Sequence, residues 1–120
     1  MSAVSSDPRL LDVPHLVRQT FGDRTLEREV LALFEQQCTR LLPIIAGQGG
    51  PIERADAAHT LKGAARAVGA WRVASLAETL ERALEDSRAG KTLDRLLAKM
   101  QSAVDDTRAA VAARWQDAAA

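Results

Sequence analysis

A single cysteine, Cys38, stands in the whole chain, so no internal disulfide can form, and the reducing cytosol is the favoured compartment. Charge of neither sign is in excess, since 16 Lys and Arg balance 16 Asp and Glu. A general nucleic-acid binder would carry a basic surplus, so nucleic acid is not an expected partner. No apolar run approaches the ~20 residues of a membrane span, and the N-terminus lacks the basic-then-apolar form of a signal peptide. Tyrosine is absent, aromatics make up 3%, and glycine and proline number only 7 and 4. What remains is dominated by Ala, Leu, Arg and Glu, which are strong helix formers. Over 120 residues that composition predicts one all-α domain, cytoplasmic and with no membrane partner.

The first residues are small and polar, and disorder is expected over residues 1–8, ahead of a helical domain over residues 9–117. Asp12 with Pro14 just after it marks a helix start, and the short helix Val13–Phe21 carries Leu16, Val17 and Phe21 before Gly22 stops it. His15 has no partner visible in sequence and reads as a surface or packing residue. Asp23 caps a second helix whose apolar positions Leu26, Val30, Leu33, Phe34, Cys38, Leu41 and Ile45 recur at three- and four-residue steps. Cys38 falls on that stripe and reads as a small hydrophobe. Pro43 is expected to kink the helix or end it early. A glycine-rich turn from Gly47 to Pro51 restarts the chain as a third helix, Ile52 to Val68, closed by Gly69.

The fourth helix is predicted from Trp71 to Ala89, with Val73, Leu76, Ala77, Leu80 and Leu84 on one stripe and Glu78, Glu81 and Glu85 on an adjacent face. Gly90 is read as its stop and Thr92 as the cap of a fifth, carrying Leu93, Leu96, Leu97, Met100, Val104, Val111 and Trp115 at bundle spacing. Short loops favour antiparallel neighbours, hence an up-down four-helix bundle with a short extra N-terminal helix over one end. No internal repeat, sustained heptad or low-complexity linker suggests another architecture.

The third helix holds the most informative stretch, Ala58-His59-Thr60-Leu61-Lys62-Gly63-Ala64-Ala65-Arg66-Ala67-Val68-Gly69. At ~100° per residue, Ala57, Ala58, Leu61, Ala64, Ala65 and Val68 gather on one arc. His59, Lys62, Gly63 and Arg66 share the other, because residues three, four and seven apart return to the same face. A titratable imidazole is thus expected on the watery side with an ammonium one turn away. The glycine between costs ~1 kcal/mol relative to Ala in a helix interior, so local stability does not explain it. Close approach by another molecule does.

His59-x-Leu61-Lys62-Gly63, then Gly69-Ala70 and the later Leu80-Glu81, resembles the histidine-containing phosphotransfer (HPt) domains of bacterial two-component phosphorelays. The likeness runs from about Leu10 to Val111. It implies that His59 accepts a phosphoryl group from the phospho-aspartate of a response-regulator receiver domain and passes it to another receiver. It implies further that Glu81 reaches across from the neighbouring helix to the ring nitrogen that is not phosphorylated. Ala64 departs from the pattern, since many relatives carry serine after the glycine.

The residues fit those roles. Phosphoryl transfer asks mainly for alignment and for stabilisation of charge on the moving oxygens. Lys62 can supply an ammonium to those oxygens, Gly63 leaves steric access, and Arg66 adds positive potential on the same face. The chain needs no cofactor of its own on this reading; Mg²⁺ and its carboxylates belong to the receiver. The partners implied are receiver domains and a hybrid or other sensor histidine kinase. The chain is not a kinase by itself, because no nucleotide-binding Gly-rich loop is present. His15 and His59 lie on different helices with no second imidazole or thiol at ligand spacing, so a metal site is not expected. Two rivals stand beside the carrier: the phosphoacceptor module of a chemotaxis-type histidine kinase, which the ending at Ala120 disfavours, and a non-catalytic helical adaptor whose histidine is incidental.

Overall fold

A computed structural model describes residues 7–86 and 90–119, and every regular element among them is helical. The chain builds α1 (Val13–Gln19), α2 (Arg24–Ile45), α3 (Pro51–Val68), α4 (Trp71–Glu85) and α5 (Gly90–Ala119). Of the segment expected to be disordered, residues 1–6 lie outside the described residues, while Asp7 opens a turn closed by the Leu10 amide on its carbonyl at 3.1 Å.

Local chemistry sets most of the helix ends. Asp12 caps α1 by accepting from the His15 amide, with Pro14 in the first turn where its missing N–H costs nothing. Asp23 caps α2 by accepting from the Thr25 and Leu26 amides. Gly69 ends α3 in the left-handed region at φ 79°, its amide turned back on the Arg66 carbonyl.

Several expectations are corrected. The first helix stops at Gln19, not Phe21. Phe21 itself has φ 55° and is 88% exposed, because the Gly22 amide folds back to the Val17 carbonyl and throws the intervening residue outward. Pro43 does not end α2, which continues to Ile45. The fourth helix ends at Glu85; Ser87–Ala89 lie outside the described residues, and Gly90 belongs to α5 rather than closing α4. Thr92 therefore sits inside α5 and is not its cap.

The stripe of α2 is also shifted. Its buried residues are Glu27, Leu31, Phe34, Cys38, Leu41 and Ile45, whereas Leu33, expected inside, is 58% exposed. Glu27 is in phase with that stripe and is only 1% exposed. It accepts two bonds from Arg114 of α5, at 2.6 and 2.7 Å, so the buried carboxylate is satisfied. Cys38 is fully buried as expected, and burial pushes its thiol up to about 12, so it packs as a hydrophobe.

The core runs between α2, α3, α4 and α5, with Leu61, Leu80, Met100 and Val104 fully buried. The closest pair is α3 with α4, followed by α2 with α3 and α4 with α5, while α2 and α5 meet more loosely. The short α1 lies against α3.

Candidate functional site

The arc predicted for α3 is the one it buries: Ala57, Ala58, Leu61, Ala65 and Val68 are inside and Ala64 is half-buried. Burying that arc against α2 and α4 turns His59 outward, with its side chain 65% exposed. On α4, burial of Val73, Ala77, Leu80 and Leu84 fixes the rotation that aims Glu81 at α3.

The Glu81 carboxylate then bridges two residues of α3. Its Oε2 lies 3.0 Å from Nδ1 of His59, and its Oε1 accepts from the Lys62 ammonium at 2.8 Å. A carboxylate only accepts, so Nδ1 carries a proton toward Glu81, and in the neutral ring the lone pair is then on Nε2, the nitrogen that Glu81 does not hold. The Lys62 hydrogen bond is the main reason the Glu81 carboxyl sits below its ordinary value, with the His59 bond acting the same way against partial burial. The acceptor for His59 is therefore kept ionised by its neighbour.

Lys62 is 14% exposed and its ammonium rests on Glu81. Gly63 is exposed, and a Cβ built there would meet no atom within 4 Å beyond its own helix turn. Arg66 stands apart from this trio: its guanidinium is 3.9 Å from Glu78 of α4. The structure thus joins His59, Lys62 and Glu81, leaves Gly63 open beside them, and sends Arg66 to a separate pair.

Sequence reasoning missed what anchors this end of α3. His15 Nε2 donates to the Arg66 carbonyl at 3.0 Å and packs edge-on against Trp71 with ring centroids 4.9 Å apart. The Trp71 indole in turn donates to Asp12 at 2.8 Å, which with the His15 amide holds the Asp12 carboxyl below its usual range. Asp12, His15 and Trp71 thus tie α1 to the end of α3 and the start of α4. The only hint in sequence was a His three residues after a capping Asp. Glu78, one turn before Glu81, was legible as part of an acidic face but not as the partner of Arg66.

Among the described residues no group of three or more His, Cys, Asp and Glu stands together as a metal site, and no helix is long and apolar enough to cross a membrane. No curated protein and no solved structure matches the chain. A family model described as Hpt domain does match, over residues 29–110, a span that contains His59, Lys62, Gly63 and Glu81. An exposed imidazole fixed by a carboxylate on a helical bundle, under a match covering more than half the chain, places the protein in the Hpt domain family, the histidine phosphotransfer domains of two-component phosphorelays.

Proposed function

We propose that the protein is a phosphorelay carrier in which His59 Nε2 takes a phosphoryl group from a receiver's phospho-aspartate and hands it to a second receiver. The observation that carries this is the Nδ1–Glu81 contact at 3.0 Å on an imidazole that is otherwise open to solvent. The Nε2 lone pair forms the N–P bond in line as the P–O bond of the acyl phosphate breaks, its electron pair returning to the aspartate oxygen. Positive charge developing on the ring is shared with Nδ1, where the Glu81 carboxylate meets it. Return to a receiver aspartate runs the same path backwards.

Lys62 has two tasks on this reading. At rest it holds Glu81 in its charged form; during transfer its ammonium, one turn from the imidazole, stabilises charge on the moving oxygens. Gly63 keeps the approach side free of a side chain, and Arg66 adds positive potential at the rim. Mg²⁺ and the carboxylates that bind it are the receiver's contribution. The wider reading is a cytoplasmic domain over residues 9–117, its four long helices running up and down with α1 over one end. A sensor or hybrid kinase would supply the receiver that feeds it.

The test is to incubate the pure protein with ATP alone and then with a phosphorylated receiver. Acid-labile phosphate on His59 from the receiver, and none from ATP alone, is the expected result. Phosphate in neither incubation, but appearing when a kinase catalytic domain is added, would favour the kinase-module rival, and phosphate in none of the three would leave only a helical adaptor.

A further inference from the structure

The site on α3 and α4 leaves the opposite seam, between α2 and α5, unused. There the two helices meet more loosely than the other bundle pairs and are spanned by ion pairs. Arg108 reaches Glu35 at 2.7 Å, and Arg114 grips the buried Glu27 at 2.6 and 2.7 Å. Between these posts lies a groove of about 560 Å³ with a floor of Leu31, Phe34, Val111 and Trp115. Its rim carries Ala32 and Ala112, both exposed and both too small to fill it.

The charges at its edge are not balanced. Arg28 stacks over the Trp115 ring at 4.6 Å and makes no ion pair among the described residues. Arg24 stands over the same ring at 5.4 Å, with only a 3.9 Å approach to Glu27, a carboxylate already held by Arg114. Two guanidinium groups thus cover Trp115, and the carboxylates nearest them, Glu27 and Glu35, are already held by Arg114 and Arg108. A stacked arginine keeps its donors free for an incoming carboxylate while its apolar plane covers the ring.

We propose that this groove docks an amphipathic helix of another protein, one whose apolar stripe is bordered by carboxylates. Apolar anchors fill the strip between the ion-pair posts, small rim residues admit a helix backbone, and Arg24 and Arg28 select acidic edges. A second copy of this chain is disfavoured by the same charges, because a two-fold contact over the groove would set the two arginine rims against each other. No residue of the His59–Glu81–Lys62 site belongs to α2 or α5. A helix bound here therefore leaves the phosphohistidine face free, and two partners can be held at once.

The probe is a synthetic 16-residue helical peptide with Leu on one stripe and Glu at its edges, compared with the same peptide carrying Lys at those edges. Backbone and indole amide shifts of the ¹⁵N-labelled protein should map the Glu peptide to Arg28, Val111 and Trp115, with saturable binding that weakens as salt rises. Arg28→Glu should weaken the Glu peptide by about tenfold or more and favour the Lys peptide instead. Ala112→Arg, an exposed change that leaves the core untouched, should block both. Receiver-dependent phosphorylation of His59 should proceed unaltered with the peptide bound. Equal binding of the two peptides, shifts clustered on α3 and α4, or no saturation by millimolar peptide would overturn the proposal. So would a concentration-dependent dimer that Ala112→Arg dissolves, or movement of the Trp115 indole signal on removing residues 1–6, since either would name a different occupant.

Discussion

Gly63 sets stability and function against each other, and the structure gives the size of each. The residue is thirteenth of the eighteen in α3, in the helix interior, and a Cβ there would touch nothing within 4 Å. No packing term opposes a side chain, so Gly63→Ala keeps the whole propensity gain, about 1 kcal/mol including the less flexible unfolded chain. For a domain of this length that is a rise in melting temperature of roughly 3–5 °C. Gly63→Gln should retain about half or more of the gain, because its long side chain points into water. The same side chain would stand one turn beyond His59, on the face a receiver must cover to bring its aspartate within reach of Nε2. Thermal unfolding by circular dichroism and single-turnover transfer from a phosphorylated receiver read the two effects separately. The expected outcome is a Gln variant at least as stable as the parent and slower in transfer by about a hundredfold, the loss that misplacement by an ångström can bring. A Gln variant that transfers at the parental rate would refute the idea that the glycine exists for docking. A destabilised one would refute the idea that the position is open.

His59→Gln should abolish phosphate uptake while stability changes by no more than about 0.5 kcal/mol, as for other exposed positions; labelling of His15 in that variant would overturn the assignment. Lys62→Ala should slow single-turnover transfer and let the Glu81 carboxyl rise toward its ordinary value, which a carboxyl-carbon NMR titration would follow. The sign is fixed by the direction of that shift. A carboxyl lowered in the folded protein lends stability that is complete above its unfolded value and is lost as pH falls through the folded one, so the parent should lose its His59–Glu81 contact at lower pH than the variant. Glu27→Ala should cost about 3–5 kcal/mol by chemical denaturation, because Arg114 would be left without its carboxylate in a largely buried place; a loss under 1 kcal/mol would show that Arg114 swings out to water.

The face of α3 was legible because every residue on it obeys one rule. Small apolar residues recur at helical spacing, the polar ones fall opposite, and a single glycine breaks propensity where packing gives no reason. On α2 the same rule misled, since it placed Leu33 inside and overlooked Glu27. The reason lies 87 residues away in Arg114, whose two hydrogen bonds make a glutamate admissible in a buried row. No local pattern announces such a partner, although the 27-31-34-38-41-45 phase would have flagged a glutamate that needed one. The end of α4 was misjudged in a different way: Gly90 was read as a stop by residue type, yet it belongs to the next helix.

Glu81 was placed near His59 by family likeness alone, and the cause of that proximity is visible only once the helices pack. Of the residues α3 buries, Ala55, Ala57, Ala58 and Ala65 are alanines beside Leu61 and Val68, and α4 buries Ala74 and Ala77 beside Val73, Leu80 and Leu84. Distance between packed helices follows the size of the side chains at the contact, and α3 and α4 are the most closely associated pair in the bundle. A glutamate has only two methylenes to span the gap, yet its two oxygens reach an imidazole and an ammonium at 3.0 and 2.8 Å. A seam of leucines would hold the helices farther apart and leave that carboxylate in water, with the ring free to choose either tautomer. The alanine content that first marked the chain as helical is thus also what lets a short acidic side chain fix the proton on Nδ1 and leave Nε2 bare.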